Sequence, residues 1–169
     1  MKLIVLTASA LAVVSLAACG DREGAAAPDE TTVYRSEEGS VTTSGEGEDQ
    51  TMVIEAADGS GAVVGSGAGA TVTGPDYARP YPGSRIVSTV DAGADRGGMT
   101  VFESDANPDT IIAYYRERAE EAGLSSGANM TMGEMRQYAA ESDSGQSLTV
   151  VVTPQDGRAT VNVAWEAAS

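Results

Sequence analysis

Alternation of apolar and polar residues is clearest near the C-terminal end of the 169-residue chain. Leu148, Val150 and Val152 alternate with Thr149, Val151 and Thr153, and Ala159, Val161, Val163 and Trp165 alternate with Thr160, Asn162, Ala164 and Glu166. A period of two places each set on one face of a strand, and Pro154-Gln155-Asp156-Gly157 supplies turn residues between them, so the segment predicts a hairpin. An earlier hairpin is predicted from the β-branched run Ser84 to Val90, the loop Asp91 to Gly98 and the returning strand Met99 to Ser104. Ahead of it, in Arg79-Pro80-Tyr81-Pro82-Gly83, two prolines hold the backbone extended and the glycine permits a turn. Between the hairpins, Met130 to Glu141 shows mixed alternation broken by Gly133, which predicts one strand with a bulge or two short strands.

The helical period appears once. Ile111, Tyr115, Ala119 and Ala122 form a stripe with Ile112 beside it, while Arg116, Glu117, Glu120 and Glu121 lie largely off it. Asn107 is a good N-cap, Pro108 suits the first helical position, Asp109 complements the positive helix end and Gly123 closes the last turn. Two strands that each carry one apolar face need a cover, and this is the one long amphipathic element available. The expectation is therefore an α+β domain over residues 76–169. It has an antiparallel sheet of about 4–5 strands in the order β-β-α-β-β(-β), with one helix (about 108–122) packed on one face.

The preceding segment differs in composition. Residues 20–75 hold 11 of the 20 glycines, 11 acidic against 2 basic residues, and one aromatic, Tyr34; the other seven aromatics follow. Such a stretch buries too little apolar surface to offset the entropy of ordering it. Residues 19–75 are thus expected to be an acidic, mostly disordered tether of about 40 Å average span. Within it, Thr51 to Ala56, Asp58-Gly59 and Ala62 to Val64 fit a weak hairpin over 51–64, marginal unless it docks on the neighbouring domain. The Gly65-Ser66-Gly67-Ala68-Gly69 run lacks the spacing of a phosphate-binding fingerprint and is expected to be flexible linker.

At the other end, Met1-Lys2 precedes an apolar run from Leu3 to Ala18 that is too short to cross a bilayer. The run stops at Leu16-Ala17-Ala18-Cys19, followed by Gly20-Asp21-Arg22-Glu23. This stop resembles the lipobox of bacterial lipoproteins. The resemblance implies a signal peptide over 1–18, cleavage between Ala18 and Cys19, and attachment to membrane lipid through acylation of Cys19. A thiolate is the strongest side-chain nucleophile for accepting a diacylglyceryl group, and small residues before it suit a narrow peptidase cleft. The alternative, a secreted protein with a free thiol, leaves the chain's single cysteine unprotected in an oxidising compartment. The same resemblance extends to Asp21: an aspartate directly after the anchor is a retention signal in enterobacterial lipoproteins, which implies the inner membrane facing the periplasm.

Charge and missing side chains narrow the chemistry. Lys2 is the only lysine, so its loss takes the net charge from −15 to −16. A chain this acidic is repelled by DNA and RNA, so no nucleic acid is expected as partner. With no histidine, no lysine after residue 2 and Cys19 acylated, Ser-His-Asp, Cys-His and Schiff-base catalysis lack their groups. Zinc lacks ligands for the same reason, and no cofactor is expected. Glu103 and Asp105 are the nearest pair for carboxylate hydrolysis of a glycan, against the reading of an exposed strand end. Asp91 and Asp95 offer oxygen ligands to calcium, against that of a solvated turn. Asn129-Met130-Thr131 is formally a glycosylation sequon, expected to be unused.

Tyr77, Arg79 and Tyr81 are the candidate binding cluster, since aromatic faces and a planar cation grip glycan or protein. Equally, they fit a structural role sealing the sheet's open edge, with Pro80 and Pro82 blocking strand addition. Tyr81-Pro82-Gly83, Phe102 before Asp105-x-x-Pro108, and Tyr114-Tyr115 with Gly123-Leu124 resemble a small domain of uncharacterised bacterial envelope proteins, over about residues 77–166. That resemblance implies a fold and a location, with no activity attached. The function expected is a lipid-anchored cell-envelope lipoprotein with a non-catalytic periplasmic binding or scaffolding domain, its partner an envelope protein or glycan. The alternatives are a carboxylate-dependent hydrolase of envelope polymers and an accessory factor in envelope assembly.

Overall fold

Ten strands, all antiparallel to their neighbours, form one sheet in the computed structural model, which describes residues 31–93 and 96–168. The strands are β1 (Thr32–Ser36), β2 (Gly39–Glu46), β3 (Asp49–Ala56), β4 (Gly61–Ser66), β5 (Arg85–Asp91), β6 (Gly97–Ser104), β7 (Ser125–Met132), β8 (Met135–Glu141), β9 (Ser147–Gln155) and β10 (Arg158–Glu166). Their lateral order is β1-β2-β3-β4-β5-β6-β10-β9-β8-β7. One helix, α1 (Pro108–Glu121), connects β6 to β7 across the sheet face. No helix among the described residues is long and apolar enough to cross a membrane. Cys19, Ala18, Asp21 and Asp95 lie outside the described residues.

The expectation of 4–5 strands is therefore corrected to ten. Within 76–169 the order is β-β-α-β-β-β-β, and four more strands precede it. Part of the shortfall is the Met130 to Glu141 region, where Gly133 (φ 61°) makes a turn between two separate strands. All eight residues of β7 are exposed, and its only apolar alternation is the short Ala128, Met130 and Met132.

The larger correction concerns 32–66, expected within the tether and found as the meander β1–β4. Composition measures apolar area, and there is little of it here: β1 is exposed at every position. A sheet, however, also extends by pairing backbone groups with an existing edge, which is independent of side chain. That edge is β5, which pairs with β4 through Val63↔Asp91, Val64↔Val90, Gly65↔Thr89 and Ser66↔Ser88. Locally, the Asp58 carboxylate accepts from the Ser60 N–H (2.9 Å) and hydroxyl (2.6 Å), shaping the β3–β4 turn. The glycine run expected as linker packs instead: a Cβ on Gly69 would lie 2.8 Å from the Gln50 carbonyl, and Thr51 donates to the Gly69 carbonyl (3.0 Å).

The core lies between α1 and the strands beneath it. Phe102, Ile111, Tyr115, Tyr138, Leu148, Val150, Val161 and Val163 are fully buried there. Asn107 caps α1 through its side-chain oxygen, which accepts from the Asp109 N–H (2.8 Å). The β9–β10 turn is the pair Asp156 (φ 51°) and Gly157 (φ 83°), shorter than the four-residue stretch expected, and Pro154 pairs with Ala159 inside the ladder. Two residues of positive φ match the twist of the flanking strands.

Among the described residues, the opposite face carries no helix. One lateral row crosses it through all ten strands: Thr32, Thr43, Met52, Val64, Val90, Met99, Ala164, Thr149, Ala139 and Ala128. A parallel row two residues along runs Ser66, Ser88, Val101, Asn162, Val151, Gln137 and Met130.

Candidate functional site

On the helix face, the register sets Asp91, Gly98 and Trp165 side by side on β5, β6 and β10. Alternation along β10 turns Trp165 inward, and the missing side chain of Gly98 lets the indole lean across it. A Cβ on Gly98 would lie 2.5 Å from the ring. The segment before β5 closes over the same ring, where a Cβ on Gly74 (φ 95°) would also approach within 2.5 Å. Two glycines therefore clasp the indole, leaving Trp165 6% exposed.

Beside this ring lies a cleft of ≈ 370 Å³ bounded by Thr73, Tyr77, Asp91, Gln146 and Trp165. Tyr77 comes from the one-turn 3-10 segment Asp76–Ala78 and is 6% exposed. Among the described residues its hydroxyl has no hydrogen-bond partner, and neither has the buried hydroxyl of Thr73. Burial raises the Tyr77 phenol above its ordinary value, keeping it a neutral donor. The Asp91 carboxylate, at the side of the cleft, accepts from the Gly93 N–H (2.7 Å). A larger groove of ≈ 700 Å³ adjoins through Asp91 and Gly93 along the ends of β3 and β4, but none of its lining residues carries an unsatisfied buried polar atom.

The three residues expected to form a binding cluster are parted. Tyr77 faces the cleft; Tyr81 packs edge-on against Tyr114 (5.1 Å between centroids); Arg79 is exposed and paired with Asp76 (2.8 Å). Nor do they seal a sheet edge, since the edges are β1 and β7. Their segment instead docks on α1, where the Tyr115 hydroxyl donates to the Arg79 carbonyl (2.8 Å) and Arg118 to the Asp76 carbonyl (3.1 Å). Thr73 and Trp165, which complete the cleft, were not among the expected site residues. Thr73 carries no sequence signal, and Trp165 reads only as an inward strand residue.

The Glu103 and Asp105 pair is bound up with arginines. Glu103 meets Arg85 (2.9 Å) and Arg158 (3.4 Å), and Arg158 also meets Asp105 (3.2 Å). The Arg85 hydrogen bond holds the Glu103 carboxyl below its ordinary value, the opposite of what a general acid requires. Asn129 of the sequon accepts from Arg116 (3.1 Å). Among the described residues, no group of three or more acidic, histidine or cysteine side chains is placed to hold a metal ion.

A family model described as START domain-like matches residues 86–161, less than half of the chain. The match runs from β5 into β10 and takes in α1, so it covers the helix and the strands it packs on. It stops short of Thr73, Tyr77 and Trp165. The similarity suggests a small ligand-binding domain and is compatible with a non-catalytic binding role. No match was found among curated proteins, and none among solved structures.

Proposed function

We propose that this chain is a lipid-anchored envelope protein, held by acylation at Cys19, whose folded part is a non-catalytic binding domain with its ligand site in the Thr73–Tyr77–Trp165 cleft. The observation that carries the binding site is a pair of hydroxyls, on Thr73 and Tyr77, that lie buried in the wall of one cleft without a partner among the described residues. A buried polar group without a partner costs about 1–3 kcal/mol, and a ligand that hydrogen-bonds both recovers that cost. The cleft's volume is at the small end for ligand sites, the size of a single sugar ring rather than a polymer. Asp91 beside it, on a chain of net charge −15, selects against anions. A small neutral, hydrogen-bonding ligand fits these requirements.

Trp165 is the only tryptophan, so its emission reports on the cleft directly. N-acetylglucosamine serves as the neutral probe and its 1-phosphate as the anionic control. Titration should give a saturable change in Trp165 emission with the neutral sugar and a weaker one with the phosphate. The paired substitution Thr73→Val and Tyr77→Phe should abolish both. A flat titration for neutral sugars and small amides up to about 10 mM, or an undiminished response in the double variant, sinks the assignment.

A further inference from the structure

We infer that the helix-free face of the sheet is an interface between two copies of this chain, packed face to face about a two-fold axis. The two lateral rows on that face, with the β1–β4 part of the next row (Tyr34, Val41, Ile54 and Ala62), make 21 positions without one charged residue, and that next row runs on through Gly97, Glu166, Ser147 and Glu141. Over the three rows in full, 25 positions, the chain's own 21% of charged residues would give about five, and there are two, both at the Glu141 and Glu166 end. A solvated outer face of an antiparallel sheet is ordinarily polar. Here Met52 (36%), Ile54 (38%) and Met99 (36%) stand exposed on it, with Val64 and Val90 in the same row.

The charges lie at the margins instead. Glu103 with Arg85 and Arg158 sits towards one end of the strands, and Glu141 and Glu166 towards the other. A charge-free centre within a charged rim is the anatomy of a protein interface.

The area decides between a fortuitous patch and a contact. Strand spacing and residue rise give about 33 Å² per position, hence about 700 Å² per copy and about 1,400 Å² in a dimer. Stable interfaces bury about 1,200–2,000 Å². Two sheets of equal twist pack aligned at about −30°, as in β-sandwiches. A second copy is the partner argued for because it meets this face with the same neutral surface. A chain of net charge −15 repels its own copies everywhere else. The inference is independent of the ligand cleft, which lies on the helix face.

The test is sedimentation of the full chain in density-matched detergent. The expected result is a monomer–dimer equilibrium that tightens when salt is raised from about 10 to 150 mM, because screening weakens the repulsion between copies. Met99→Glu should weaken it at least tenfold. Thr149→Glu, which replaces a residue already polar, should do the same, with an unchanged far-UV spectrum showing the fold retained. A monomer at every concentration up to about 100 µM overturns the inference. So does a dimer indifferent to both variants, or one broken only by charges placed in β7, which would put the contact at the sheet edge.

Discussion

The indole of Trp165 occupies the volume that a side chain on Gly74 would need, with an ideal Cβ at residue 74 falling 2.5 Å from the ring. Gly74 also sits at φ 95°, where a β-carbon is strained in any surroundings. Gly74→Ala should therefore destabilise the fold by about 2–4 kcal/mol, the sum of overpacking and backbone strain. The thermal midpoint should drop, and Trp165 emission should shift to the red as the ring is pushed towards water. An alanine variant with unchanged midpoint and emission would show that the glycine is not what admits the ring.

Tyr115 joins α1 to the chain segment that precedes β5. Its ring is fully buried and its hydroxyl donates to the Arg79 carbonyl. Burial raises its phenol well above the ordinary tyrosine value, with Tyr114 adding to the effect, so it stays a neutral donor at any physiological pH. Tyr115→Phe keeps the packing and removes the bond, and should cost about 1–2 kcal/mol. In urea the midpoint should fall with an unchanged slope. A variant as stable as the parent would mean that water replaces the hydroxyl without loss.

Glu103 sets an acid dependence of stability. Its carboxyl is held below the ordinary value of 4.5, first by the hydrogen bond from Arg85 and then by the charges of Arg85 and Arg158. Between the folded value and 4.5 the unfolded chain binds the proton and the folded chain does not. Stability therefore rises with pH across that window and is lost as pH falls through the folded value. Glu103→Gln should flatten this part of the stability–pH profile, matching the parent near pH 3 and falling below it at neutral pH only by the small amount the parent loses on acidification, because Arg85 and Arg158 are exposed to solvent. Urea midpoints measured between pH 3 and 7 check it; parallel profiles for the two proteins would assign the acid sensitivity elsewhere.

The parts of this fold that could be read in advance are those whose signals are local. Asn107, Pro108, Asp109 and Gly123 mark the helix, expected at about 108–122 and found at Pro108–Glu121. Alternation marks β9 and β10, and the β-branched run marks β5. What could not be read depends on pairing between distant segments. β7 is exposed at all eight positions and exists because β8 offers its backbone; β1–β4 likewise extend the edge of β5. The cleft shows the same division. Asp91 and Gly98 read as the two ends of a loop, and only the register that sets them beside Trp165 makes them neighbours.

The proposed membrane attachment through Cys19 makes the last prediction. Twelve residues separate Cys19 from the start of β1 at Thr32, and a chain of that length spans at most about 45 Å when fully extended. With 32–66 folded into the sheet, an acylated Cys19 holds the domain close to the bilayer, not at the end of a 56-residue tether. Buried methylenes contribute about 0.8 kcal/mol each, so two or more acyl chains hold the protein where one does not. Little else would favour attachment, since a chain cut before Cys19 would carry a net charge of −16 and be repelled by anionic headgroups. Cys19→Ser keeps a residue of similar size and removes the thiol. It should abolish incorporation of labelled palmitate and move the protein from the membrane pellet to the soluble fraction. A serine variant that still sediments with membranes, or a parent chain that takes up no label, would require a different means of attachment.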